Sequence, residues 1–181
     1  MITVTTLILT LVPSAIERFY HVRFPHAIVL SIVIFIYATL FLGEIFDFYE
    51  NFWWWDAVLH FGSAIGLSLV AFLVLYFLYK SSVIKSPPSV AALFAFSFGI
   101  AMAAMWEIFE FGMDSFFGLN MQKSGLVDTM WDLIASVIGA GLVAVWAYVY
   151  LRFGSENIVS RTISEFRALN KRSSDSTDKN K

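Results

Sequence analysis

Along this chain, long apolar runs alternate with short polar breaks, and four of the runs stand out: residues 27–47, 57–79, 90–111 and 129–151. Each is close to the ~20 residues a helix needs to cross a hydrocarbon layer. A fifth, weaker run at residues 2–12 holds four threonines and stops at Pro13. Carried on to Ile16 it would span, and otherwise it packs against the others. The pattern predicts an all-α fold, a polytopic membrane helix bundle with four long spans plus a weaker N-terminal one. Residues 1–151 make the bundle, and 152–181 make a tail on the cytoplasmic side.

Composition agrees with that class. The chain is 59% hydrophobic and 14% charged, with a mean hydropathy of +0.73. Soluble domains average about 45–50% apolar and about 25% charged residues. With no cysteine, a disulfide, a thiolate metal site and a thiol nucleophile are all excluded. The first fifteen residues, "MITVTTLILTLVPSA", lack the positive start of a signal peptide.

Charge then orients the spans. Eleven of the twelve Lys and Arg lie at alternate ends of the runs, and Lys123 stands alone on the other side. The positive-inside rule puts the eleven in the cytoplasm. In the tail, Val159, Ile163, Phe166 and Leu169 recur near helical spacing among basic residues. That suits a helix on the anionic inner leaflet, or equally a solvated helix with a small apolar stripe. The end, "NKRSSDSTDKNK", reads as disordered. Gly62 and Gly66 at GxxxG spacing, with Ala135/Gly139 and Ser136/Ala140, offer small faces for close helix packing.

The acids are distributed unevenly. Of fourteen Asp and Glu, nine fall at the extracytoplasmic ends of the long runs: Glu44, Asp47, Glu50, Asp56, Glu107, Glu110, Asp114, Asp128 and Asp132. His60 joins them. Asp56/His60, Glu107/Glu110, Asp128/Asp132 and Glu44/Asp47 each sit three or four apart, so each pair shares a helix face. Glu44, His60, Glu107 and Asp132 put one ligand-type side chain from each of four helices at similar depth, as carboxylate metal sites in bundle cores do.

Simpler roles suit some of these residues. Asp56 and Asp128 stand where acids cap helix N-termini. Asp47, Glu50 and Asp114 suit a solvated interface. Trp53, Trp54, Trp55, Trp106 and Trp131 suit an interfacial belt. Glu44, Glu107 and Glu110 are different, because the helix dipole there opposes a negative charge. A carboxylate so placed is protonated, paired or metal-bound. The expected metal set is therefore Glu44, His60, Glu107, Glu110 and Asp132, supported by Asp56 and Asp128, with Mg, Mn or Zn as the ion.

The stretches "LGEIFDFYENFWWWDAVLHF", "WEIFEFGMD" and "NMQKSGLVDTMWDLIASVIGA" resemble the YjdF-like bacterial membrane proteins over roughly residues 11–150. The resemblance implies a small multi-pass plasma-membrane protein with Glu44, Asp56, His60, Glu107, Glu110, Asp128 and Asp132 as its marked positions. A looser similarity is to VanZ-like proteins, whose pattern shares Asp56/His60 and Asp128/Asp132 but has Asn where Ser136 stands here. Neither resemblance supplies a reaction.

Three functions stay open on the sequence: a metal-dependent enzyme for a lipid or lipid-linked substrate, a proton or cation transporter or channel subunit, and a non-catalytic membrane partner. Membrane lipids are the expected partners, with no nucleic acid. A second copy of the chain or another membrane protein would be a further one.

Overall fold

The computed structural model describes residues 2–20, 23–80, 86–154, 161, 164–166 and 168–170. All regular structure among them is helical: α1 (Ile2–Tyr20), α2 (His26–Ile36) running into a π-helical segment (Tyr37–Ile45), α3 (Phe48–Asn51), α4 (Trp55–Lys80), α5 (Pro88–Phe117) and α6 (Leu126–Phe153). Among the described residues, four helices are long and apolar enough to cross a membrane: His26–Ile45, Trp55–Tyr76, Pro88–Phe117 and Leu126–Phe153. The chain divides into two compact units, Met1–Phe52 with Ser155–Lys181, and Trp53–Gly154.

In the first unit α1 does not stop at Pro13, as expected from the sequence, but continues to Tyr20 with Pro13 inside it. Proline removes one intrahelical bond. Three residues before it, Thr10 turns its Oγ1 back to the Leu7 carbonyl at 2.9 Å. The expected unbroken α-helix over 27–47 is also modified. From Tyr37 the helix widens to i→i+5 bonding and ends at Ile45, and Asp47 adopts a left-handed φ of 57°. Glu44 and Asp47 therefore do not share an α-helical face.

The tail docks within this unit. Asn170 accepts from the Arg23 backbone N–H at 2.8 Å and donates to the Arg23 carbonyl at 2.9 Å. Phe166 lies against Phe24, ring centres 6.3 Å apart. Phe166 and Leu169 of the expected apolar stripe are half-buried. Val159, Ile163 and the end of the chain from Lys171 lie outside the described residues.

The second unit is a three-helix bundle, up, down and up. Each helix buries one stripe at three- and four-residue spacing: His60, Ala64, Ser68, Phe72 and Tyr76 on α4; Ala91, Ala95, Gly99, Ala103 and Glu107 on α5; Asp132, Ser136, Ala140, Val143 and Ala147 on α6. Small side chains let these helices approach closely where lipid offers no hydrophobic drive. A Cβ added at Gly139 would come 2.5 Å from the Phe61 carbonyl, and one at Gly99 would meet Ser68 Oγ and lie 3.2 Å from Ala140 Cβ. Gly62 and Gly66 play no such part. A Cβ at either would meet nothing within 4 Å, so the GxxxG pair faces away from the core.

Candidate functional site

Helix α4 opens at Trp55, so Asp56 lies in its first turn and His60 one turn further in. Those four residues put both side chains on one face. His60 is the first residue of the buried stripe. Its Nε2 lies 3.8 Å from Asp56 Oδ1 and 3.6 Å from Glu107 Oε1 on α5. Glu110, one turn beyond Glu107, accepts a 3.0 Å hydrogen bond from Trp106 Nε1. Asp132 comes from α6 and is 2% exposed.

Ligand atoms of Asp56, His60 and Asp132 lie within 4.8 Å of one another, and so do those of His60, Glu107 and Glu110. The two trios share the imidazole. Three helices thus bring five ligand-type side chains together, and four of the five are buried. Both oxygens of Glu107 and Oδ2 of Asp132 are enclosed without a hydrogen-bond partner. Like charges surround Glu110, with Asp56, Glu107 and Asp128 all acting on it. An enclosed carboxylate set of this kind is stable only when protonated, paired with a cation or bound to a metal.

Helix α5 runs six residues past the expected end at Phe111, to Phe117, where Gly118 caps it at φ 66°. That extension sets Glu107 ten residues inside the helix rather than in its last turn. Asp114 lies in the extension and ties it to the loop that follows. It is not simply solvated, because Oδ1 accepts from the Met121 N–H at 2.7 Å and Oδ2 from the Gln122 N–H at 2.9 Å. The clamp folds residues 118–125 back toward the bundle. Gln122 Nε2 then donates to Thr129 Oγ1 at 2.7 Å, and both residues approach the Glu107 carboxyl without closing a hydrogen bond to it.

The other expected residues are placed differently. Asp128 is in the first turn of α6, where its charge faces the backbone N–H and the ammonium of Lys123. It belongs to neither trio. Glu44 lies in the first unit, in the π-helical segment, and is exposed, as are Asp47 and Glu50. Gln122 and Thr129 were not singled out by the sequence; no periodicity marks Gln122, a loop residue, and Thr129 on α6 carries no ligand-type group. Trp106 was readable, since it stands four residues before Glu110 on the same face. Its ring is half exposed while its N–H turns inward.

A family model described as "Predicted membrane protein (DUF2238)" matches residues 1–153. The chain belongs to this family. The YjdF-like resemblance is to the same family, so the DUF2238 protein is a membrane protein. An uncharacterised protein of Thermotoga maritima is 32% identical over 143 residues, covering 75% of this chain and 69% of the relative. No solved structure matches the DUF2238 chain.

Proposed function

We propose that His60, Glu107, Glu110 and Asp132, supported by Asp56, bind a divalent cation, and that the protein uses this site on a lipid or lipid-linked phosphate at the extracytoplasmic surface. The observation that supports the reading best is Glu107, which is buried, has both oxygens unbonded and lies 3.6 Å from an imidazole nitrogen. Four carboxylates and one imidazole suit Mg, Mn or Zn. Lys123, the lone Lys or Arg between Lys85 and Arg152, faces Asp128. The cluster must therefore draw its positive charge from elsewhere.

A divalent cation held there would supply Lewis acidity toward a phosphoryl oxygen. The chain's own residues do the rest. Glu107, Glu110 and Asp132 set the charge of the site, and Asp56 orients His60. Trp106 fixes Glu110 through its indole N–H. Gln122, held by Asp114, presents a carboxamide beside Glu107 where a substrate oxygen could be bonded. With Lys and Arg facing the cytoplasm of a bacterial cell, the cluster opens outward at the headgroup level.

Elemental analysis of detergent-purified protein tests the reading. After incubation with Mg, Mn and Zn in turn, the parent is expected to carry close to one divalent ion per chain. A His60→Ala, Glu107→Gln double variant that elutes as the same species is expected to carry none. A parent without metal under all three conditions sinks the proposal. Metal-dependent phosphate release from a lipid-linked diphosphate then tests the substrate class.

A further inference from the structure

Two serines in the three-helix core differ from the helical hydroxyls that bond their own backbone, in this unit and in the other. Thr10, Ser31, Thr39 and Ser63 each turn the hydroxyl back to a carbonyl three or four residues earlier. That is the usual way for a helix to satisfy such a group. Ser68 and Ser136 are fully buried, and neither Oγ has a partner. A buried group left unbonded costs about 1–3 kcal/mol. Alanine fills the neighbouring stripe positions 64, 103 and 140 and would avoid that cost.

Their placement is ordered. Ser136 lies one turn along α6 from Asp132, and Ser68 two turns along α4 from His60, ~12 Å deeper at ~1.5 Å per residue. Gly99 stands opposite Ser68, and a Cβ there would overlap the hydroxyl. Asp132 Oδ2, Ser136 Oγ and Ser68 Oγ form a descending series of unbonded polar atoms. The series ends at Phe72, which is fully buried and meets Trp146 edge-on with ring centres 5.3 Å apart. One turn beyond Phe72, Tyr76 lines a cleft with Tyr79, Ser86 and Pro88 that opens at the opposite end of the bundle. The polar series from one end and the cleft from the other are separated by the rings of Phe72, Tyr76, Trp146 and Tyr150.

We propose that the three-helix unit encloses a path for water and the protons water carries, shut at Phe72. A hydroxyl both donates and accepts, so each serine can pass a proton along a water file by receiving one as it gives one up. An apolar ring that excludes water is sufficient to close such a path. The path needs no change of protonation in the acidic cluster and does not depend on the metal reading.

Full-length protein in liposomes with an entrapped pH dye, under a potassium diffusion potential, provides the test. Phe72→Ala is expected to raise proton influx at least tenfold over the parent. Adding Ser68→Ala and Ser136→Ala should return it to the parent rate. Phe72→Ala protein that elutes as a single species yet conducts no faster overturns the proposal, and so does a fast flux indifferent to the two serines. Should Phe72→Ala fail to fold, thiol chemistry decides, because the chain has no cysteine. Silver ion should titrate the single thiol of Ser68→Cys and of Ser136→Cys and spare that of Val143→Cys in the Phe72 layer. Unreactive thiols at 68 and 136 overturn the proposal.

Discussion

Where α4 begins, the buried stripes of the three-helix unit carry His60, Glu107, Glu110 and Asp132; further along they carry Phe72, Tyr76, Ala95 and Ala147. The same three helices run through both halves, with the same three- and four-residue spacing of buried positions. In the aromatic half, Phe72, Tyr76, Trp146 and Tyr150 meet stacked, tilted or edge-on, with centroids 5.3–6.1 Å apart. Each such pair adds about 0.5–1.5 kcal/mol beyond area burial. The acidic half encloses three carboxylate oxygens without partners. Close packing of small residues is common to both, so it cannot account for the contrast. One half holds the helices together, and the other uses that rigidity to keep like charges side by side.

The contrast can be broken most readily at Phe72. Phe72→Ala should lower stability by about 3–5 kcal/mol, read from thermal unfolding in detergent, because it empties the centre of the aromatic half. A loss under ~1 kcal/mol would show that this half does not carry the fold. Next in size is the response to metal. At a hundred times its dissociation constant, a divalent cation should stabilise the parent by about 2.7 kcal/mol. The His60→Ala, Glu107→Gln variant should lose the increment, and equal stabilisation of both proteins would place the ion elsewhere.

The shared packing gives a third, smaller effect. Gly139→Ala drives a methyl into the Phe61 carbonyl and should cost about 1–3 kcal/mol. Gly66→Ala, with open space around it, should gain up to about 1 kcal/mol. The reverse order of melting temperatures would contradict the helix faces described. Smallest of all, Ser136→Ala should leave stability unchanged or raise it by up to about 1 kcal/mol, since it removes an unbonded hydroxyl. A loss above ~1 kcal/mol would mean that a protein group, rather than water, bonds the hydroxyl.

Much of this could be read before any coordinates. Hydropathy located the four long segments because twenty apolar residues admit few other fates, and spacing paired Asp56 with His60 and Glu107 with Glu110. Periodicity gives a residue's angle on its helix but not which angle meets a neighbour. For that reason Gly62 and Gly66 looked like a packing face, while Gly99 passed without notice. The end of α5 was misplaced for a different reason. Asp114 is held by amides seven and eight residues later, a loop closure that no pattern in the sequence announces. Ser136 was visible as a small residue four before Ala140 and as a departure from the VanZ-like pattern, but not as an unbonded hydroxyl, because that and a back-bonded one look alike in a sequence.

The length of α5 has a consequence for the membrane itself. Its thirty residues measure ~45 Å at ~1.5 Å each, against a hydrocarbon thickness of ~30 Å. From Pro88 to Glu107 is nineteen residues, or ~29 Å on the same rise. An upright helix with Pro88 at one boundary therefore delivers Glu107 to the other, and tilting draws the carboxylate into the acyl chains. Hydrophobic mismatch thus becomes a control on the site. Lipids with short chains should leave the acidic cluster open to bulk water, and long-chain lipids should seal it beneath the headgroups.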